Sequence, residues 1–138
     1  MKKVVIDTNA LISFVTDRNP EQQEIIAGIF EAASLSRLVI LCHQQVLSEF
    51  VYVLEKVYRV PKEEIQGMMR DLNAMPGVEI VHELNMKTFL TLWPVTFADF
   101  GDAVLAAYCK SRKDAALFSF DAGFIKAARN SGVKLHSL

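Results

Sequence analysis

The sequence predicts an α/β/α three-layer sandwich with a five-stranded parallel sheet. Three observations predict it. Short apolar runs alternate along the chain with segments whose apolar residues recur at helical spacing. Strands and helices in strict alternation imply parallel pairing with helices on both faces of the sheet. The chain has 138 residues, of which 51% are hydrophobic, which suits a single domain spanning 1–138 with its own core.

The elements follow in order. Val4 to Ile6 is β-branched and bounded by polar residues, as a short buried strand is. Leu11 to Val15 begins a helical pattern. Asn19-Pro20-Glu21 reads as a helix start with proline at the first helical position, and Ile25, Ile26, Ile29, Phe30 and Ala33 continue it. Leu38 to Leu41 is the second strand. Val46, Leu47, Phe50, Val51 and Leu54 mark a helix from Gln45. Val60-Pro61-Lys62-Glu63-Glu64 restarts a helix, and Met75-Pro76-Gly77 stops it. Val78 to Val81 is the third strand. Met86 to Trp93 is helical until Pro94, and Phe97 to Lys110 forms a strong helix. Ala115 to Phe118 is the fourth strand, Ala122 to Arg129 a short helix ended near Gly132, and Val133 to Leu135 the fifth strand.

Composition narrows the function classes. No apolar run nears the ~20 residues that span a bilayer, and Asp7 interrupts the opening apolar stretch too early for a secretory signal. A cytoplasmic protein is expected. Cys42 and Cys109 lack any paired spacing and read as buried thiols. A net charge of −1 excludes binding to nucleic acid by bulk charge, so any such contact needs a local patch.

Four acids share one side of the predicted sheet. Asp7 follows the first strand and Asp121 the fourth, at the carboxyl edge where open α/β sheets gather ligands. Glu49 lies early in the helix after the second strand, and Asp102 at the start of the helix leading into the fourth. Carboxylates in apolar surroundings are costly and converging ones repel. Nothing cationic in these motifs pairs with them, so a divalent cation is the economical partner. An oxygen-only set favours Mg²⁺ or Mn²⁺. Each acid alone has a plainer reading. Asp7, Asp99 and Asp121 suit helix caps, and Glu49 suits the polar face of a helix. Asp99 reads as a cap or auxiliary acid.

The segments "IDTNALI", "VLSEFVYVLEK", "DFGDAVLAA" and "FSFDAGF" together resemble the PIN-domain ribonucleases, and most closely the VapC-type toxins of toxin–antitoxin pairs. The resemblance implies a five-stranded parallel sheet, an acidic site binding Mg²⁺ or Mn²⁺, and hydrolysis of RNA phosphodiesters. It assigns the acidic roles to Asp7, Glu49, Asp102 and Asp121; Asp7 and Asp102 would ligate a first metal directly, and Glu49 and Asp121 would bind a second metal or hold waters on the first. Thr8, Asn9 and Ser119 take the polar supporting positions. It also implies a homodimer and a small antitoxin protein whose tail covers the groove. Bound metal would reverse the repulsion between the acids and an anionic phosphodiester.

Substrate contact needs cations at the rim. Lys110, Arg112 and Lys113 end the helix that carries Asp102, and Lys126 and Arg129 lie on the helix after Asp121. Solvated helix ends explain the first three equally well. The histidines at 43, 82 and 136 show no ligand spacing and read as surface or structural groups. Two other enzyme or signalling classes fit less well. A haloacid-dehalogenase-type phosphatase needs a second aspartate two positions after the first, where this chain has Asn9. A phospho-acceptor receiver needs a pair of acids after the first strand. A PIN-like domain that binds RNA or a partner without cutting is the non-enzymatic alternative.

Overall fold

The computed structural model describes residues 1–138. The chain forms β1 (Lys3–Ile6), α1 (Thr8–Val15), α2 (Pro20–Ser34), β2 (Val39–His43), α3 (Gln44–Lys56), α4 (Lys62–Ala74), β3 (Val78–Val81), α5 (Met86–Leu92), α6 (Phe100–Lys110), β4 (Ala115–Phe118) and α7 (Ala122–Asn130). The strands pair in parallel in the order β3-β2-β1-β4. Val4 stands opposite Ile40 on one side and Ala116 on the other. Successive residues of a strand face opposite sides. Val4, Val5 and Ile6 are nevertheless all wholly buried, as are the four residues of β4 or nearly so, so both faces of the sheet are covered. Burying each such aliphatic side chain stabilises the fold by about 1.5–3 kcal/mol.

The sheet has four strands, which corrects the expected five. Val133 is buried, but only Leu135 pairs, through one parallel bridge to Leu117. The Leu117 N–H donates to the Lys134 carbonyl at 2.8 Å, and the His136 N–H to the Leu117 carbonyl at 2.9 Å. The segment touches the edge of β4 for one residue pair and goes no further. Two helices also start elsewhere than expected. α1 begins at Thr8, directly after Asp7, and α6 at Phe100 rather than Phe97. Phe97 is buried in the preceding loop, edge-on to Phe124 at 5.8 Å between ring centroids.

Gly77 joins α2 to the sheet. Its φ is 79°, and a Cβ there would lie 2.5 Å from the Ala33 carbonyl oxygen, so glycine alone allows this close approach. Both cysteines are buried and unpaired, and burial pushes each thiol up to about 12. No helix is long and apolar enough to cross a membrane.

Candidate active site

β1 is the second strand from the β4 edge and lies between β2 and β4, so the ends of three strands meet around Asp7. The chain turns from strand to helix here, and the first N–H groups of α1 lack helical partners. Asp7 Oδ1 accepts from the Ala10 N–H at 2.9 Å. Its Oδ2 accepts from the Ser119 hydroxyl, whose oxygen in turn accepts from the Asp121 N–H at 3.0 Å. Ser119 thus ties the first acid to the segment that carries the last one. Asp7 and Ser119 are 6% and 7% exposed. Burial raises the Asp7 pKa, with a smaller push from the Asp121 charge, against the hydrogen bonds from Ser119 and Ala10.

Glu49 reaches the same place from α3. Thr8 Oγ1 donates to its Oε2 at 2.9 Å, and Gln45 Nε2 to its Oε1 at 3.1 Å. The backbone of Gly101 packs against this carboxylate so tightly that a Cβ would overlap Oε1. Asp102 stands in the first turn of α6, whose start is capped by Asp99 through the Asp102 N–H at 2.9 Å. Burial, then the charges of Asp99, Asp7, Asp121 and Glu49, push the Asp102 carboxyl up to about 7. Asp121 caps α7 through the Phe124 N–H at 3.1 Å. The cap reading of Asp7, Asp99 and Asp121 is therefore correct as far as it goes. In each the hydrogen bond to the helix occupies one carboxylate oxygen, and capping holds the residue at the edge of the site.

All five acids line one cavity of about 190 Å³, together with Thr8, Asn9, Gln45 and Gly101. No lysine or arginine lines it. The donor chemistry suits a hard divalent cation, being oxygen only, with like charges that the protein leaves unneutralised. The spacing is looser than the chemistry. As the side chains stand, no group of three acidic, histidine or cysteine side chains is positioned to hold a metal ion.

The structure brings together Asp7, Thr8, Asn9, Glu49, Asp99, Asp102 and Asp121 around the cavity, with Ser119 behind Asp7. The expected rim cations do not line it. Lys110 lies at the opposite end of α6 and donates to the Ser131 carbonyl at 2.7 Å. Arg112 pairs with Glu83 at 3.0 Å and lies over the Tyr108 ring. Lys113 follows in the same turn, beyond the end of α6. Lys126 and Arg129 are exposed on α7. His43 is structural. It is 5% exposed, its Nδ1 accepts from the Gln45 N–H and its Nε2 donates to the Glu83 carbonyl.

Sequence reasoning passes over three residues near the cavity. Gln45 precedes Glu49 by one helical turn, a legible spacing. Gly101 sits inside the "DFGD" motif, where a glycine in a helix start hints at close approach. Arg18 carries no such signal.

The family model of the PIN domain matches residues 4–130, nearly the whole chain. No curated protein matches the chain.

Proposed function

The chain belongs to the PIN-domain family, a nuclease-type fold, and on that premise we propose that it is a metal-dependent endoribonuclease. One observation carries the reading: five carboxylates line a cavity that no basic residue enters. Such a cavity repels a phosphodiester until a cation occupies it. Asp7 and Asp102 would hold Mg²⁺ or Mn²⁺ directly, and Glu49 and Asp121 a second ion or bound waters. When bound, the metal supplies charge neutralisation at the phosphoryl group and a more acidic water. Ser119 and the Ala10 N–H hold Asp7 in place, Thr8 and Gln45 aim Glu49, and a carboxylate of the cluster accepts the proton of the attacking water.

We assign the protein further to the toxins of toxin–antitoxin pairs. The four quoted motifs support this, as does exposed apolar surface on α3 and just past its end. Tyr52 and Val57 are 64% and 66% exposed and Tyr58 is 37% exposed. Leu54 is core, and Val51, Val53, Met68 and Met69 pack on the core, so Tyr52, Val57 and Tyr58 are the apolar groups of this segment left to a second copy or an antitoxin.

The deciding experiment incubates pure protein with single-stranded RNA in Mg²⁺ or Mn²⁺ and in EDTA. Cleavage only with metal supports the reading, and robust cleavage in EDTA overturns the metal's role. Phosphate released from small phosphomonoesters with RNA untouched would favour a phosphatase. RNA bound tightly but left whole would favour a non-catalytic binding domain.

A further inference from the structure

Beside the acidic cavity lies a second hollow of about 200 Å³, lined by Asn9, Arg18, Gln22, Phe120 and Asp121. It shares Asn9 and Asp121 with the acidic cavity, so the two adjoin. Arg18 is held there with unusual care for an exposed side chain. Its Nε and Nη2 donate to Ser13 Oγ at 3.1 and 2.9 Å, and Nη2 also donates to the Asn9 carbonyl at 2.9 Å. Ser13 is wholly buried and fixed in turn by donating to Gln22 Oε1 at 2.9 Å. Arg18 takes part in none of the four ion pairs of the protein, and its Nη1 has no protein partner. One edge of the guanidinium is thus spent on positioning, and one nitrogen is left to an outside acceptor.

We propose that Arg18 binds a phosphate of the single-stranded RNA substrate next to the one that is cut, with the half-buried Phe120 ring as the stacking surface for a base. The proposal rests on the ribonuclease reading and names its substrate contact. A phosphodiester chain approaching five carboxylates meets repulsion on every side of the cavity, and Arg18 is the cation fixed at its rim. A planar guanidinium held by three hydrogen bonds loses little further freedom on gripping a phosphate. Phe120 is braced edge-on by Phe118 at 5.0 Å, and base–aromatic stacking is tolerant of sequence.

The test is binding of a fluorescent eight-nucleotide RNA, by anisotropy, across a salt series. Glu49→Gln, at a residue that does not line the second hollow, is the cleavage-impaired background. In it, Arg18→Gln should weaken binding about tenfold, as loss of a charged hydrogen bond does. It should also reduce the slope of log affinity against log salt by about 0.7, the value for one phosphate on a single strand. Arg18→Lys should keep the slope at an intermediate affinity. Phe120→Ala should weaken binding about tenfold without changing the slope. Unchanged affinity in Arg18→Gln overturns the proposal. So does weaker binding at an unchanged slope, because it marks Arg18 as a strut for the loop. Should Arg18→Gln fail to fold, Phe120→Ala decides, with unchanged affinity overturning the shared subsite. Full RNA cleavage by Glu49→Gln would instead remove Glu49 from the catalytic cluster, and failure of the parent to cleave RNA with metal would overturn the ribonuclease reading; the binding data would still judge Arg18 on their own.

Discussion

The carboxylate of Glu49 lies in the space that a side chain at Gly101 would fill. The two residues come from different helices, α3 and α6, so the contact sets how closely the acids of those helices approach.

Gly101→Ala separates this contact from helix propensity. A helical Gly→Ala change at an unobstructed site stabilises by about 0.4–1 kcal/mol. Here the methyl group must displace Glu49 from Thr8 and Gln45, so the variant should be less stable than the parent and lose at least about tenfold in RNA cleavage, since a misplaced group of 1 Å can cost about a hundredfold. In a Glu49→Ala background the same change should cost much less, with Asp99 Oδ1 at 3.2 Å as the remaining close neighbour of the new methyl group. A double-mutant cycle by urea denaturation reads the coupling, and additive effects would rule the contact out as the cause.

Asp7→Asn tests the first acid as more than a cap. Asparagine caps as well as aspartate, so Ala10 keeps its acceptor and a buried charge disappears. Thermal melting in EDTA should show a stability equal to the parent or higher, while RNA cleavage is lost. Full cleavage by this variant would leave Asp7 with a structural role only.

Asp102 predicts how the metal-free protein responds to pH. Its carboxyl is pushed from 3.8 to about 7 in the fold, so the folded state holds the proton more tightly than the unfolded state. The stability from this group is fully present below about pH 4 and is lost as pH rises through about 7. Asp7 is shifted in the same direction. Water in the open cavity screens the Asp102 charge, which leaves roughly 1–2 kcal/mol. Urea midpoints in EDTA from pH 4 to 8 should fall more steeply for the parent than for Asp102→Asn. Parallel curves would contradict the proton held at Asp102.

Divalent metal should reverse that loss. At tenfold excess over its dissociation constant, Mg²⁺ or Mn²⁺ bound only to the folded site adds about 1.4 kcal/mol, a rise of roughly 3–7 °C in melting temperature. Asp121→Asn should shrink the rise without lowering the metal-free melting temperature by more than a degree or two, because asparagine still caps α7. A full metal-induced rise in that variant would remove Asp121 from the metal's surroundings.

Asp7 and Asp121 are legible because the same local grammar that starts a helix after a strand also places a residue at the carboxyl edge of the sheet, and Asp102 because it opens the helix that runs back into β4. Glu49 was legible from its place in an apolar helix, although its partners Thr8 and Gly101 lie far away in sequence. Val133 to Leu135 looked like a strand because apolar triplets report burial, and Val133 is indeed buried. Pairing depends on where the chain runs, and only Leu135 meets β4. Lys110 shares a helix with Asp102, but eight residues at 1.5 Å each put about 12 Å between them along the axis. Arg18 could not be read at all. Its place follows from Ser13 and the Asn9 carbonyl turning back on the loop between α1 and α2.

The interior position of β1 predicts unequal exchange protection around the acids. Asp7 is anchored to a strand hydrogen-bonded on both sides, and its neighbouring amides should exchange with deuterium only when the whole domain opens. Asp102 lies in the first turn of α6 and Asp121 caps α7, and the first amides of these helices should exchange by local fraying. Deuterium exchange should therefore separate one slow wall of the site, at β1, from two faster ones at the starts of α6 and α7.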